Sequence, residues 1–108
     1  MRTLQFNVEG LILSKDPNCN FDKIVPCTNG YLQAQFQFSE EWNGYLKVAE
    51  FSSGNHEYTP QVLDKNNSCM IPQEALKRSI FRIRILGRQN DNRLITNRIL
   101  VYQKGDNK

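Results

Sequence analysis

The 108-residue sequence contains no long apolar run, and that absence excludes whole classes of protein. A membrane-spanning helix needs roughly 20 consecutive apolar residues, which no segment approaches. Residues 1–6 alternate apolar and polar side chains, whereas a signal peptide requires a continuous apolar stretch. We therefore expect a protein that is made and kept without secretion and that has no membrane partner.

Cysteine is scarce as well, and the spacing of Cys19, Cys27 and Cys69 matches no zinc-binding pattern. A chain of this length can bury a sufficient apolar core without a metal ion or a disulfide. In a reducing compartment we expect free thiols, and we interpret Cys69 as a small buried apolar residue. A disulfide between Cys19 and Cys27 is the alternative.

The sequence also lacks the motifs of common catalytic and cofactor sites. It contains no phosphate loop, dinucleotide fingerprint, EF-hand or metalloprotease motif. His56, the single histidine, lies in a predicted loop with only Glu57 beside it, which favours an exposed residue over a catalytic one. Glu40 and Glu41 are adjacent on a turn and point in different directions, so we interpret them as capping carboxylates. We predict no catalytic residue, no metal site, no cofactor and no enzymatic activity.

Strict alternation of apolar and polar residues is the strongest pattern that is present. Residues 32–38 alternate leucine, alanine and two phenylalanines with three glutamines, which is the period of a strand with one buried face. Similar segments recur roughly every 10–14 residues with turn residues between them, as is typical of β-sandwiches and small barrels. We therefore predict an all-β fold, an antiparallel β-sandwich or small barrel with one short helix near residues 72–78.

Single residues predict where several of these elements begin or end. Gly10 is expected to break the first strand, which then continues over residues 11–13 after a bend or bulge. Gly87 is expected to end the strand that precedes it, and residues 94–103 are expected to form one last strand. Pro72 suits the first turn of the helix, because its missing N–H costs nothing there.

The chain is predicted to form one domain over residues 1–103, followed by a flexible tail at residues 104–108. Trp42 is expected to plug the open end of the sandwich and to bury about 150–250 Å² of surface. Gly44 is expected to permit the turn beside it. The predicted core and architectural residues are Phe36, Phe38, Trp42, Gly44, Phe51, Pro72, Phe81 and Ile83.

Basic residues are concentrated in the C-terminal third of the chain. Residues 1–76 carry 5 basic and 9 acidic side chains, whereas residues 77–108 carry 9 basic and 2 acidic ones. This asymmetry suggests nucleic-acid binding. Single-strand binding, however, requires aromatic and basic side chains on the same face, and here Phe81 and its apolar neighbours would point away from the arginines. We therefore interpret the arginines as a solvated or subunit-facing stripe.

A polar, uncharged strand face is the other candidate surface. The three glutamines of residues 32–38 point to the same side, where they suit a wet protein interface or a sugar contact. Together with the basic stripe they give the predicted interface residues, which are Gln33, Gln35, Gln37, Arg82, Arg84 and Arg98.

Three segments then carry a resemblance to a known family. Residues 36–51 read FQFSEEWNGYLKVAEF, residues 69–76 read CMIPQEAL and residues 81–87 read FRIRILG, followed by ITN at residues 95–97. In order and spacing these segments resemble N-terminal attachment modules of virion proteins from phages of Gram-positive bacteria, found in baseplates, tails and head fibres. The resemblance covers residues 31–102.

The resemblance implies a β-sandwich that docks in a virion and often self-associates, and it implies no catalytic residue. It predicts other virion proteins or a second copy of the chain as partners. It also predicts localisation in the virion, after a stage in the host cytoplasm. Such modules commonly continue into a fibre or receptor-binding region, so we expect either a longer natural protein or a stand-alone accessory protein.

Two alternatives stay open beside the virion module. The arginine-rich C-terminal third suits a small phage-encoded effector that binds nucleic acid or a host protein. The glutamine face suits a receptor- or glycan-binding tip.

Overall fold

Two β-sheets enclose an apolar core in the computed structural model, which describes residues 2–22, 24 and 32–103. The prediction of an all-β sandwich or small barrel is confirmed. In chain order the strands are β1 (Arg2–Glu9), β2 (Ile12–Lys15), β3 (Leu32–Phe38), β4 (Leu46–Ser53), β5 (His56–Glu57), β6 (Gln61–Val62), β7 (Ser68–Met70), β8 (Ile80–Gln89), β9 (Asn92–Ile95) and β10 (Ile99–Tyr102).

The four-stranded sheet has the order β2–β1–β3–β7, and the six-stranded sheet has the order β10–β8–β4–β5. In the six-stranded sheet β6 also pairs with β4, and β9 pairs with β8. The pairs are antiparallel except for β1 and β3, which run parallel. The chain therefore passes between the sheets three times, from β3 to β4, from β6 to β7 and from β7 to β8.

The alternation along each strand decides which side chains fill the space between the sheets. Phe6 and Phe36 are paired in the β1–β3 register and stack with ring centroids 5.1 Å apart. From the other sheet, Phe51 and Phe81 meet at 6.1 Å. The structure places five of the predicted core residues at 2% exposure or less; these are Phe36, Trp42, Phe51, Phe81 and Ile83. Phe38 is half-buried against this core.

Trp42 closes one end of the sandwich. It lies in the 3₁₀ turn Glu40–Trp42, which leads from β3 to β4, and its side chain is fully buried. The indole Nε1 donates a hydrogen bond to the carbonyl oxygen of Gly10 at 2.7 Å. Gly44, two residues further on, has a φ of +83°, a conformation that favours glycine.

Gly87 does not end its strand, as the sequence predicted, but lies within β8, which continues to Gln89. A Cβ atom at residue 87 would lie 2.6 Å from Cζ3 of Trp42. Glycine is therefore required by the close approach of the indole ring, and a strand can contain glycine for that reason. A sequence pattern cannot separate this role from that of a turn residue.

Gly10 also differs from its prediction, because it begins a tight reversal instead of a bend in a continuing strand. Its φ is +58°, and β2 runs back antiparallel beside β1. The reversal returns Leu13 to the core. The apolar spacing around residue 10 is the same for a hairpin as for a bulged strand, so the sequence could not distinguish them.

Residues 94–103 form two strands, not one, because side chains interrupt the pairing between them. Thr96 Oγ1 accepts a hydrogen bond from the backbone N–H of Ile85 at 2.9 Å. Asn97 reaches the other sheet, where Oδ1 accepts from Leu13 N at 2.7 Å and Nδ2 donates to Leu13 O at 3.2 Å. These bonds join the edges of the two sheets.

The predicted helix near residues 72–78 is a single 3₁₀ turn, Ala75–Lys77. The carbonyl of Pro72 accepts hydrogen bonds from the N–H groups of Ala75 and Leu76, so proline does begin the turn. Both of those side chains are buried, and they close the sandwich between β7 and β8. One turn is enough to bury them, which removes the need for a longer helix.

Some predictions fall on residues outside the described ranges. They concern Cys27 with its alternative disulfide and the tail at residues 104–108. Within the described ranges, no helix has the length and apolar character of a membrane span.

Candidate functional site

The structure separates the predicted interface residues into two groups on opposite sides of the molecule. Gln33, Gln35 and Gln37 alternate with the buried residues of β3, so they point outward from the four-stranded sheet. Arg82 and Arg84 alternate with the buried residues of β8 and point outward from the six-stranded sheet. No single site can therefore contain all of them.

The glutamine face is largely occupied with its own hydrogen bonds. Gln33 Nε2 donates to Thr3 Oγ1 at 2.9 Å, and Gln35 Nε2 donates to the carbonyl of Asn66 at 3.5 Å. Both glutamines are half-buried, and only Gln37 is exposed. The described cross-strand neighbours of the three glutamines are not aromatic, so the described part of this face offers no ring on which a sugar could stack.

The predicted arginines are also committed to partners within the chain. Arg84 Nε donates to Glu50 Oε1 at 2.7 Å across the β4–β8 ladder. Arg82 donates to Ser52 Oγ at 3.2 Å and to the carbonyl of Gly54. Arg98 lies between β9 and β10, where Nη2 is 4.0 Å from a carboxylate oxygen of Glu57. A carboxylate close enough for a hydrogen bond therefore balances the charge of Arg84, whereas the partners of Arg82 are neutral and Glu57 is a distant partner of Arg98.

The outward side of the six-stranded sheet, which we call the outer face, has an unusual share of exposed apolar side chains. Nine large hydrophobic residues of the described chain are exposed, and six of them belong to strands of this sheet. They are Leu46, Val62, Ile80, Ile95, Leu100 and Tyr102.

Four apolar residues on the outer face stand in register across four strands. Val62 pairs with Val48, Val48 with Leu86, and Leu86 with Ile95. Neighbouring strands are about 4.8 Å apart, so this apolar row extends about 14 Å across the sheet. Its two ends, Val62 and Ile95, are 60% and 41% exposed.

A groove of about 370 Å³ lies along the apolar row. Val48 and Leu86 contribute to its apolar lining, together with Leu46 from the next position of the ladder. Pro60 lies at the β6 side, and Arg88 and Arg93 lie at the β8–β9 side. The groove therefore combines an apolar surface with a cationic flank.

Arg88 and Arg93 are directly opposite each other in the β8–β9 hairpin. Gln89 and Asn92 close the turn, in which Asn90 has a φ of +55°. Side chains that are opposite in an antiparallel pair have Cβ atoms about 4.5–5.5 Å apart, and two like charges at such positions are unfavourable for the sheet. Among the described residues, neither guanidinium has a carboxylate oxygen within 4.0 Å.

The sequence prediction missed this pair, because it ended one strand at Gly87 and began the next at residue 94, so that neither arginine was placed on a strand. The adjacent Asn90 and Asp91 are the signal that could have identified it, since two such residues favour a two-residue hairpin turn. A hairpin with that turn places residues 88 and 93 in register. The apolar row has no comparable signal, because its four members come from four separate strands.

The ionisable groups of the described chain offer little that resembles an activated centre. Burial raises the pKa of the Cys69 thiol to about 12, and the carboxylate of Asp64 acts in the same direction. The pKa of Glu41 is lowered by a hydrogen bond from Ser39 and by its own backbone, and its side chain is exposed. No group of three potential metal-ligating side chains occurs within residues 2–22, 24 and 32–103.

Comparison of the chain with protein-family models, curated proteins and solved structures finds no match. Function is therefore inferred from the outer face and from the sequence resemblance.

Proposed function

We propose that the chain is a structural module of a phage virion, which docks on another virion protein or on a second copy through the outer face. The observation that carries this proposal is the apolar row, with Val62 and Ile95 exposed at its ends. Exposed apolar side chains that are contiguous, and not scattered singly, are typical of protein interaction surfaces. The role is binding, without catalysis.

The resemblance supports the virion assignment through residues that build the sandwich. Trp42 and Gly87 belong to separate resembling segments, yet they meet at one end of the core. Ala75 and Leu76 belong to the remaining segment, residues 69–76, and close the connection between β7 and β8. The resembling segments therefore build one sandwich. We propose that the protein is located in the host cytoplasm before assembly and in the virion afterwards.

A second candidate function is a phage-encoded effector that binds nucleic acid or a host protein. The uncommitted guanidinium groups of Arg88 and Arg93 favour it. Binding to nucleic acid would weaken steeply as salt is added, in proportion to the number of phosphates contacted. A gel-shift assay with single- and double-stranded DNA and RNA at low salt tests this candidate, and the absence of any shift would contradict its nucleic-acid form.

Solution mass measured by light scattering tests the self-associating form of the virion module. We expect a mass above the 12.6 kDa of one chain, increasing with protein concentration and with sulfate, because sulfate strengthens apolar association. Val62→Ser combined with Ile95→Ser should lower the mass towards one chain. Ile12→Ser is the matched control, because Ile12 is also 60% exposed but lies on β2 of the other sheet.

The same variants test docking on a different protein if the wild-type chain is monomeric. In that case, pull-down and cross-linking with candidate virion proteins should require Val62 and Ile95 and should tolerate Ile12→Ser. If a partner binds wild type, Val62→Ser/Ile95→Ser and Ile12→Ser equally well, the interface lies elsewhere and the assignment to the outer face is contradicted.

A further inference from the structure

We infer that the groove on the outer face accepts a segment of another protein in which a carboxylate side chain lies next to apolar side chains. This inference rests on the proposed docking role of the outer face and specifies the chemistry of the partner. It is drawn from two features that adjoin in the fold, the Arg88–Arg93 pair and the apolar row.

The charge of the arginine pair is the first feature. Like charges directly opposite one another in a sheet destabilise it, and the fold places no carboxylate of the described residues between these two. By contrast, Arg84 on the same strand is paired with Glu50 at 2.7 Å. A ligand carboxylate held between residues 88 and 93 would replace the repulsion with charge-assisted hydrogen bonds, for which guanidinium groups have a matching fork geometry.

The apolar side of the groove is the second feature. Val48 and Leu86 lie two ladder positions from Leu46 and Arg88, so the four side chains are on the same face of the sheet. A ligand whose carboxylate meets the arginines would therefore place its neighbouring groups over the apolar row. Burial of those groups supplies affinity, and the arginines fix the orientation.

Nucleic acid fits the groove less well than an acidic protein segment does. The apolar row consists of valine, leucine and isoleucine, so a base would find no aromatic ring on which to stack. Glu50 also lines the groove, four ladder positions from Leu46 and Arg88, so it would oppose a phosphate backbone that follows the groove but lies far from a single carboxylate held at the arginines. A protein segment has the two properties the groove requires, an isolated negative charge and apolar neighbours.

Selection from a random linear dodecapeptide library displayed on a carrier, with the whole chain as bait, tests the inference. We expect the selected peptides to be enriched in aspartate or glutamate next to apolar residues. In fluorescence-anisotropy titrations a selected peptide should bind Arg88→Gln/Arg93→Gln about tenfold more weakly than wild type, the scale of a lost hydrogen bond to a charged group. Arg78→Gln is the control, because Arg78 is also exposed but precedes the first residue of β8, whereas Arg88 lies near the last.

The outcomes separate this inference from the proposed function. One outcome is that the selected peptides are apolar, contain no carboxylate and bind Val62→Ser/Ile95→Ser more weakly than wild type. That outcome would support the outer face as a docking surface but contradict the inference of an acidic partner. Selected peptides that are insensitive to both double variants, or the selection of none, would contradict the acidic partner, whereas the proposed function fails only if light scattering and pull-down also show no effect of Val62→Ser/Ile95→Ser. Competition by a single-stranded oligonucleotide, or self-association that Arg88→Gln/Arg93→Gln abolishes, would overturn the inference in favour of nucleic acid or a second copy.

Discussion

Replacing Gly87 with alanine probes the packing that closes one end of the sandwich. The new Cβ would lie 2.6 Å from Cζ3 and 3.0 Å from Cε3 of Trp42, and 3.3 Å from Cδ2 of Tyr45. Favourable carbon–carbon separations are about 3.5–4.0 Å, so the indole ring would have to move by about 1 Å. A movement of that size would also lengthen the 2.7 Å hydrogen bond from Trp42 Nε1 to Gly10.

The expected loss of stability follows from these contacts. Overpacking of a core costs about 1–3 kcal/mol, and the weakened hydrogen bond adds about 0.5–1.5 kcal/mol. Alanine restricts the unfolded chain more than glycine does, and this effect alone raises the free energy of unfolding by about 0.4–1 kcal/mol. We therefore expect Gly87→Ala to lower the free energy of unfolding by about 2–3 kcal/mol, a readable part of the total of about 5–15 kcal/mol for a small domain.

Urea denaturation followed by far-ultraviolet circular dichroism measures this loss in a double-mutant cycle with Trp42→Phe. The smaller ring should relieve the clash, so Gly87→Ala should cost at least about 1 kcal/mol less in the Trp42→Phe background than in wild type. A loss below about 0.5 kcal/mol in wild type, or the same loss in both backgrounds, would refute the assignment of Gly87 to close packing against the indole.

Two further predictions concern other parts of the fold. Asn97→Ala removes both hydrogen bonds to Leu13 and should lower the free energy of unfolding by about 1–3 kcal/mol in urea melts. Asn18→Ala should change it little, because Asn18 is also exposed but its side chain makes no hydrogen bond to the described residues. The pKa of the Cys69 thiol is raised from 9.0 to about 12 in the fold, so the unfolded chain releases this proton at lower pH than the folded chain does. The contribution of Cys69 to stability should therefore fall as the pH rises from 9 to 12. In urea melts across that range, the free energy of unfolding should decline less in Cys69→Ala than in wild type.

Strands and buried faces could be predicted from the sequence because they depend on local alternation. Residues 32–38 show this most clearly, since a period of two requires neighbouring side chains to point to opposite sides of a strand. The roles of Gly10 and Gly87 could not be predicted in the same way. One begins a hairpin and the other meets Trp42 across 45 residues of sequence, and neither context can be inferred from the residues next to the glycine.

The candidate site was predicted only in part, because its members interact across strands. Arg82 and Arg84 were placed on one outward strand face, where they lie, but their partners Ser52 and Glu50 are on β4. The sequence cannot distinguish an arginine that is paired from one that is free. The prediction therefore included Arg82 and Arg84, which have partners within the chain, and omitted Arg88 and Arg93. The guanidinium groups of these two residues have no carboxylate partner among the described residues.

The all-β class, and the alternation that puts Phe36 and Phe81 inward, can be read from the amino-acid sequence. These properties follow from the geometry of a single strand and from apolar burial. The row that Val62, Val48, Leu86 and Ile95 form beside the arginine pair arises only when the strands pair in the fold. Register between strands is a non-local property, since it depends on which strands pair and on how the turns between them align. The surface on which the proposed function rests exists only once those pairings have formed.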